Sequence, residues 1–341
     1  MKTSSSREQL LPVTQEKDHK DKRMQGKGIA AALGYMGCAV LLVMFNKAAL
    51  SSYKFPYANI ITLLQVSCSN LLLAVLRYFR VISFTADGHS ALENTRSGFI
   101  GLKTIRVAAP LSVSYLIYMV VGMASIRGVS VPMYTALRRT TVAFTMAMEF
   151  LIARQTYPPE IIFSVSVIVG GALLAGMRDL TFDVWGYSLV FASNLTTAVY
   201  LATIARLGKT TGLNSFGLMW CNGIICAPLL FCWTFLTGEL SSALAFPAIH
   251  SPGFQLVTMA SCSLAFLLNY TIFLNTALNS AVTQTICGNL KDLGTVTIGW
   301  LWFNDLPFDF MNLVGQGMGF AGSGFYAYCK LRGTATQAAK Q

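Results

Sequence analysis

Apolar residues gather along this chain into runs of about 18 to 25, parted by short polar connections, and the runs show no strict two-residue alternation. A hydrocarbon core of ~30 Å needs about 20 helical residues, whereas a barrel strand needs only ~10 of alternating character. The pattern therefore predicts membrane-spanning helices. Ten spans are expected, over residues 28–46, 57–77, 107–126, 130–152, 159–177, 185–205, 215–236, 254–277, 281–303 and 309–329. The third and fourth are parted only by "SIRGVS", and the eighth and ninth only by "ALNSAV".

Composition and charge sharpen the picture. Hydrophobic residues make up 54% of the chain and charged residues 11%, against the roughly 25% charged of a soluble domain. Of the 25 Lys and Arg residues, 18 lie in the segments on one side of the expected topology, which holds both termini, and only four lie on the other. The positive-inside rule places both ends in the cytosol. Residues 1–27 are polar, of mixed charge and without the apolar core of a signal peptide, so a cytosolic tail without regular structure is expected there, with a second at 330–341. An endomembrane protein is the simplest reading.

Ten spans divide into two groups of five, 28–177 and 185–329. A duplicated unit with an odd number of spans must insert in opposite orientations, the inverted-repeat design of many secondary transporters, whose substrates bind near the midplane. The fourth span opens "SVPMYTALRR" and the ninth "SAVTQTICGNLKD". Each carries its basic group about ten residues in, or ~15 Å along a helix. Arg138, Arg139 and Lys291 are thus expected at one depth.

A cation at that depth is costly unless it faces a cavity, a counter-charge or a substrate. Arginine suits bidentate phosphate binding and lysine supplies a point charge, so a phosphate-bearing solute fits. Glu149 and Asp292 could neutralise part of the cluster. The other reading is that either arginine pairs with Glu149 or with backbone carbonyls and only fixes helix packing. Beside Arg138, Arg139 and Lys291 for the phosphate, the spans hold amides that can both donate and accept, at Asn222, Asn269 or Asn289, and aromatic faces at Tyr35, Tyr134 or Trp220. Tyr134 and Trp220 also read as packing residues, and Asn269 as an interhelical hydrogen bonder.

Nothing points to an enzyme, a cofactor, a metal or a nucleic-acid partner. The eight cysteines form no CxxC pair, and His19, His89 and His250 lie in the tail or loops. Gly315 and Gly319 have the spacing that lets helices approach closely, as does "GGALLAG" in the fifth span. A seam between the fifth and tenth spans is expected, either within one monomer or between the subunits of a homodimer.

Four stretches carry a family resemblance: "YMGCAVLLVMFNKAALSSYKFP", "VPMYTALRRTTVAFTM", "LMWCNGIICAP" and "CGNLKDLGTVTIGW". From residue 28 to 330 the chain resembles the nucleotide-sugar transporters of the drug/metabolite transporter superfamily, in wording closest to plant Golgi members that carry UDP-N-acetylglucosamine and UDP-N-acetylgalactosamine. The resemblance implies an all-α, ten-helix inverted-repeat fold in the Golgi membrane that imports a nucleotide sugar in exchange for the nucleoside monophosphate, here UMP. It implies that Lys291 binds substrate, that Gly288 lets backbone approach the nucleotide, and that Asn222 reads the base. Tyr35 is implied near the ligand, eleven residues before Asn46 in the Asn46–Lys47 pair.

Two departures matter. GDP-mannose carriers have asparagines where Gly223 and Leu290 stand here, which argues for uracil over guanine. Other UDP-sugars, a triose-phosphate-type solute and a transport-inactive scaffold stay open, the triose-phosphate reading being disfavoured by "WCNG" and by an N-terminal segment that is a poor transit peptide.

Overall fold

The apolar runs fold as helices. The computed structural model describes residues 11–47, 49, 52–85, 100–127, 131–176, 183–303 and 310–340, and these are nearly all helical. In chain order they form α1 (Leu11–Lys47), α2 (Ala58–Tyr78), α3 (Leu102–Arg127), α4 (Val131–Arg138), α5 (Thr141–Ala153), α6 (Pro159–Gly176) and α7 (Val184–Thr210). There follow α8 (Ser215–Leu236), the short α9 (Glu239–Leu244), α10 (Pro252–Leu278), α11 (Ala281–Phe303) and α12 (Phe310–Lys340). Six stretches among the described residues are long and apolar enough to cross a bilayer: Gly26–Asn46, Ala58–Tyr78, Thr104–Gly122, Val184–Thr210, Ser215–Leu236 and Pro252–Leu278. They coincide with the first, second, third, sixth, seventh and eighth expected spans, and α6 is a shorter apolar helix at the fifth.

Both terminal segments differ from expectation. α1 begins at Leu11 and α12 runs to Lys340, so helix continues into polar sequence expected to lack it. "EKDHKDKRMQ" and "TATQAAK" contain no proline or glycine and are rich in straight-chain residues that lose little rotamer freedom in a helix. Residues 1–10 and 341 lie outside the described set.

The distribution of polarity is the reverse of a water-soluble fold. Leu71, Val120, Phe163 and Met259 face outward, each more than 60% exposed, while Ser112, Thr145, Asn194 and Asn275 are fully buried. Lipid solvates the aliphatic exterior, and polar side chains turn inward to find hydrogen-bond partners. α1 packs chiefly on α10, α3 and α5 on α7, α6 on α12, and α2 on α8 and α10.

The α6–α12 contact uses the glycines singled out above. A Cβ on Gly171 would lie 2.6 Å from the Gly315 carbonyl oxygen, and one on Gly315 would lie 2.4 Å from that of Gly171. Small residues here let two backbones touch. The seam therefore lies within one chain, and these glycine faces are not free to form the alternative homodimer contact.

The fourth expected span is two helices. α4 ends at Arg138, α5 starts at Thr141, and the backbone turns tightly between them, with Arg139 N donating to Ala136 O and Thr140 N to Leu137 O. Asn194 of α7 braces the break: its Nδ2 donates to Leu137 O and Thr140 Oγ1, and its Oδ1 accepts from Thr141 Oγ1. A break in a membrane helix is tolerated where neighbouring polar groups satisfy the freed backbone, and the 2% exposed Asn194 does that.

Two contacts identify one end of the bundle. Asn279 at the α10–α11 turn donates to Gly28 O at 3.0 Å, and Lys330, about two thirds of the way along α12 and just past the tenth expected span, donates to Thr283 Oγ1 in the first turn of α11. The start of the first expected span, the α10–α11 turn and the end of the tenth expected span therefore meet at a common end, called the terminal end below. Phe84 and Asn214 link the α2 and α8 connections. Away from these contacts, an aromatic cluster of Phe55, Phe246 and Phe254 ties the α1–α2 connection to α10.

Candidate functional site

A cavity of about 280 Å³ lies among α1, α2, α3, α4, α5, α7, α10 and α11, just below the ~300–1,000 Å³ typical of small-molecule pockets. Half of the twelve candidate residues line it: Tyr35, Arg138, Asn269, Gly288, Asn289 and Lys291. They come from four helices and both halves of the chain. Of the three cations expected at one depth, Arg138 and Lys291 line this cavity and Arg139 does not.

The helix break gives Arg138 its direction. As the last residue of α4 it extends into open cavity space, with its guanidinium carbon 6.0 Å from the centre of the Tyr134 ring and no carboxylate within ion-pair distance among the described residues. Lys291 is engaged: its Nζ lies 2.9 Å from Asp292 Oδ1. Arg138, Lys291 and Asp292 together leave one net positive charge on the wall. Asn289 is 5% exposed and its Nδ2 has no hydrogen-bond partner among the described residues, an orphaned donor of the kind that a ligand satisfies. A Cβ on Gly288 would stand 3.5 Å from Tyr35 Oη, so the tyrosine hydroxyl sits against the backbone at this glycine.

A model of the triose-phosphate transporter family matches residues 28–327. The chain belongs to that family. As a member of it, the chain is 58% identical over 314 residues to the UDP-N-acetylglucosamine transporter UGNT1 of Arabidopsis thaliana, covering 92% of this chain and 91% of that one. It is 29% identical to the UDP-sugar transporter sqv-7 of Caenorhabditis elegans, over 90% of each. To the UDP-galactose/UDP-glucose transporter 7 of Arabidopsis thaliana it is 28% identical, over 92% and 93%. A solved crystal structure of 12% identity superposes with a TM-score of 0.57, covering 90% of this chain and 98% of that one, a likeness of fold alone. These relatives are transporters, not enzymes.

In this transporter the remaining candidates lie elsewhere. Arg139 turns towards α12, where its Nη1 donates to Gln316 O at 3.0 Å and its guanidinium stacks 4.2 Å from the Phe320 ring centre. α4 ends at Arg138 and the backbone turns at Arg139, so the two neighbouring side chains diverge, one into the cavity and the other into packing. Glu149 faces neither arginine. It caps the first turn of α11, accepting from Ala281 N at 2.9 Å and Val282 N at 3.1 Å. The packing role left open for the pair thus applies to Arg139, through a backbone carbonyl and an aromatic ring.

Tyr134 packs with Met133, Leu137 and Val190, and Trp220 stacks on Phe84 at 5.4 Å. Asn222 is buried away from the cavity wall and accepts a bond from Cys226 Sγ. Asn46 stands one residue behind the wall: Gln65, which lines the cavity, donates to Asn46 Oδ1 at 3.0 Å, and Ser261 donates to the same atom at 2.7 Å. The Lys47 side chain lies outside the described residues. Gly223 packs against Asn70 of α2 so closely that an added Cβ would lie 1.8 Å from its Oδ1, so an asparagine at 223 requires the Asn70 side chain to move aside.

The wall also holds residues the sequence did not single out. Tyr115 and Tyr118 of α3 and Tyr200 of α7 form an aromatic group, with Tyr118 and Tyr200 parallel at 5.7 Å between ring centres. Their spacing along α3 places Tyr115 and Tyr118 on one face, but nothing in the linear sequence says which face borders the cavity.

Proposed function

We propose that this chain is a UDP-sugar transporter, with UDP-N-acetylglucosamine as its main substrate, that works as an antiporter exchanging the sugar nucleotide for UMP across the Golgi membrane with both termini in the cytosol. The near full-length likeness to a UDP-N-acetylglucosamine transporter carries the choice of substrate. The cavity supports it chemically. Arg138 and Lys291 supply fixed positive charge for a diphosphate, and Asn269 and Asn289 offer amides that can donate to and accept from an imide edge. Tyr35, Tyr115, Tyr118 and Tyr200 offer aromatic faces and hydroxyls, with Gly288 leaving backbone accessible.

The ten-span inverted-repeat reading has its own support. If the first five spans repeat as the last five, the α1–α10 contact maps onto α7–α3, while α2–α8, α5–α11 and α6–α12 map onto themselves. All of these pairings occur. Transport then proceeds by rocking of the halves about the central site. A net positive cavity is unfavourable when empty in a low-dielectric surround, which favours exchange over net flux.

The test is uptake into proteoliposomes preloaded with UMP, GMP or inorganic phosphate, with labelled UDP-sugars, GDP-mannose and triose phosphate outside. Uptake of UDP-N-acetylglucosamine driven by UMP and lost in Lys291→Ala is expected. Robust efflux without any counter-substrate would refute obligatory exchange, and uptake of triose phosphate alone would refute the nucleotide-sugar assignment.

A further inference from the structure

The buried carboxylate of Glu149 does not line the substrate cavity, yet it makes two hydrogen bonds between the two halves. A helix begins with amides that have no partner in its own first turn. In α11 three of these are satisfied: Ala281 N and Val282 N by the two carboxylate oxygens of Glu149, and Thr283 N by Ser280 Oγ at 3.1 Å. Two of the three caps therefore come from α5, 132 and 133 residues away in sequence. Negative charge at a helix N-terminus also meets the positive end of the helix dipole.

Neighbouring groups hold the carboxylate in place. Tyr157, in the connection after α5, donates its hydroxyl to Glu149 Oε2. Burial, reinforced by the Glu149 charge, keeps this phenol well above the usual tyrosine range, so it remains a donor. One turn deeper, back along α5 and forward along α11, Thr145 Oγ1 and Thr285 Oγ1 lie 3.1 Å apart. Thr285 and Gln284 line the cavity, so this α5–α11 seam forms the cavity floor on the side of the terminal end. On its far side the first turn of α11 is tied to α12 through Thr283, Tyr326 and Lys330. The same turn is thus held by α12 of its own half and by Glu149 of the other.

We infer that Glu149 is the latch that keeps the cavity closed at the terminal end, and that its carboxylate must leave the α11 N-terminus each time the cavity opens there. The inference rests on the alternating-access reading above, but not on which solute is carried. Glu149 acts through helix position and is a positioning residue.

The experiment uses the full-length protein with its eight native cysteines replaced and one reporter, Thr197→Cys, on the cavity wall. In sealed vesicles whose orientation is fixed by protease removal of an N-terminal tag, a membrane-impermeant maleimide is added from the terminal side or from the opposite side, with no substrate present. Glu149→Gln keeps the shape but loses the charge, and should raise labelling from the terminal side at least tenfold. Tyr157→Phe should raise it about threefold, and Thr145→Val should act in the same direction. Unchanged labelling from the terminal side in folded Glu149→Gln, or in the two milder variants if that one does not fold, would overturn the latch. Because the readout needs no substrate, a failed substrate assignment would leave it interpretable.

Discussion

Asp292 is the residue whose removal distinguishes two roles for the buried lysine. Its carboxylate lies 2.9 Å from Lys291 Nζ, so an incoming phosphate must share the ammonium with it. A phosphate oxygen on the opposite side of that ammonium, at ~2.8 Å, would stand roughly 5.7 Å from the carboxylate. Repulsion between unit charges at that distance is about 3 kcal/mol at an effective dielectric constant of ~20 and about 0.7 kcal/mol in bulk water. The cavity is lined by both polar and apolar groups, and an intermediate value of ~1–2 kcal/mol is appropriate. Asp292→Asn should therefore bind UMP about 5- to 30-fold more tightly, measured by titration calorimetry on purified protein. Maximal exchange should fall, because a more positive cavity holds its anion longer. Salt should weaken the gain, since the effect is Coulombic. Binding weakened to the level of Lys291→Ala would refute this reasoning and mean that Asp292 serves to orient Lys291.

Three further outcomes follow from the packing and the cavity wall. Arg138→Met should reduce nucleotide binding at least tenfold, the loss of a charged hydrogen bond of about 1.5–3 kcal/mol, while Arg139→Met should retain most exchange and alter stability by within about 1 kcal/mol, because a buried, incompletely satisfied cation is often replaceable by an apolar side chain; equal effects of the two on binding would contradict the assignment. Gly315→Ala forces a Cβ to within 2.4 Å of the Gly171 carbonyl and should destabilise the fold by about 1–3 kcal/mol. Gly317→Ala, where nothing lies within 4 Å, should be neutral or slightly stabilising, as detergent thermal unfolding would report. Tyr118→Phe removes a hydroxyl from the cavity wall and should raise the KM for the transported nucleotide about 2- to 12-fold, equivalent to a hydrogen bond of ~0.5–1.5 kcal/mol, with no change in thermal stability.

The sequence by itself determined the solvent of this protein and much of its layout. Bilayer thickness acts locally, so an apolar run of sufficient length declares a span wherever it occurs, as it does for α2, α7, α8 and α10. The same local rule led to the expectation of one depth for Arg138, Arg139 and Lys291, because residues are counted along a helix from its polar end, and Arg138 and Lys291 do line one cavity. Glycine spacing likewise disclosed a close helix contact. Which partner takes up a given side chain was decided only by tertiary structure. Arg138 and Arg139 are chemically equivalent neighbours, and the break braced by Asn194 sends one into the cavity and the other onto Phe320. Glu149 lies in the same expected span as both arginines, yet its partners are the amides of a helix more than 130 residues away, because an uncapped helix start inside the bundle offers a carboxylate more than a distant guanidinium does. Trp220 was offered as an aromatic face by its type and Asn222 was implied by likeness to a motif, but α8 turns both away from the cavity wall, Trp220 onto Phe84 and Asn222 into the interior. Tyr115, Tyr118 and Tyr200 reach the cavity from two helices whose facing sides no linear pattern records. Depth in a membrane is a property of one segment, whereas direction is a property of all the segments packed around it.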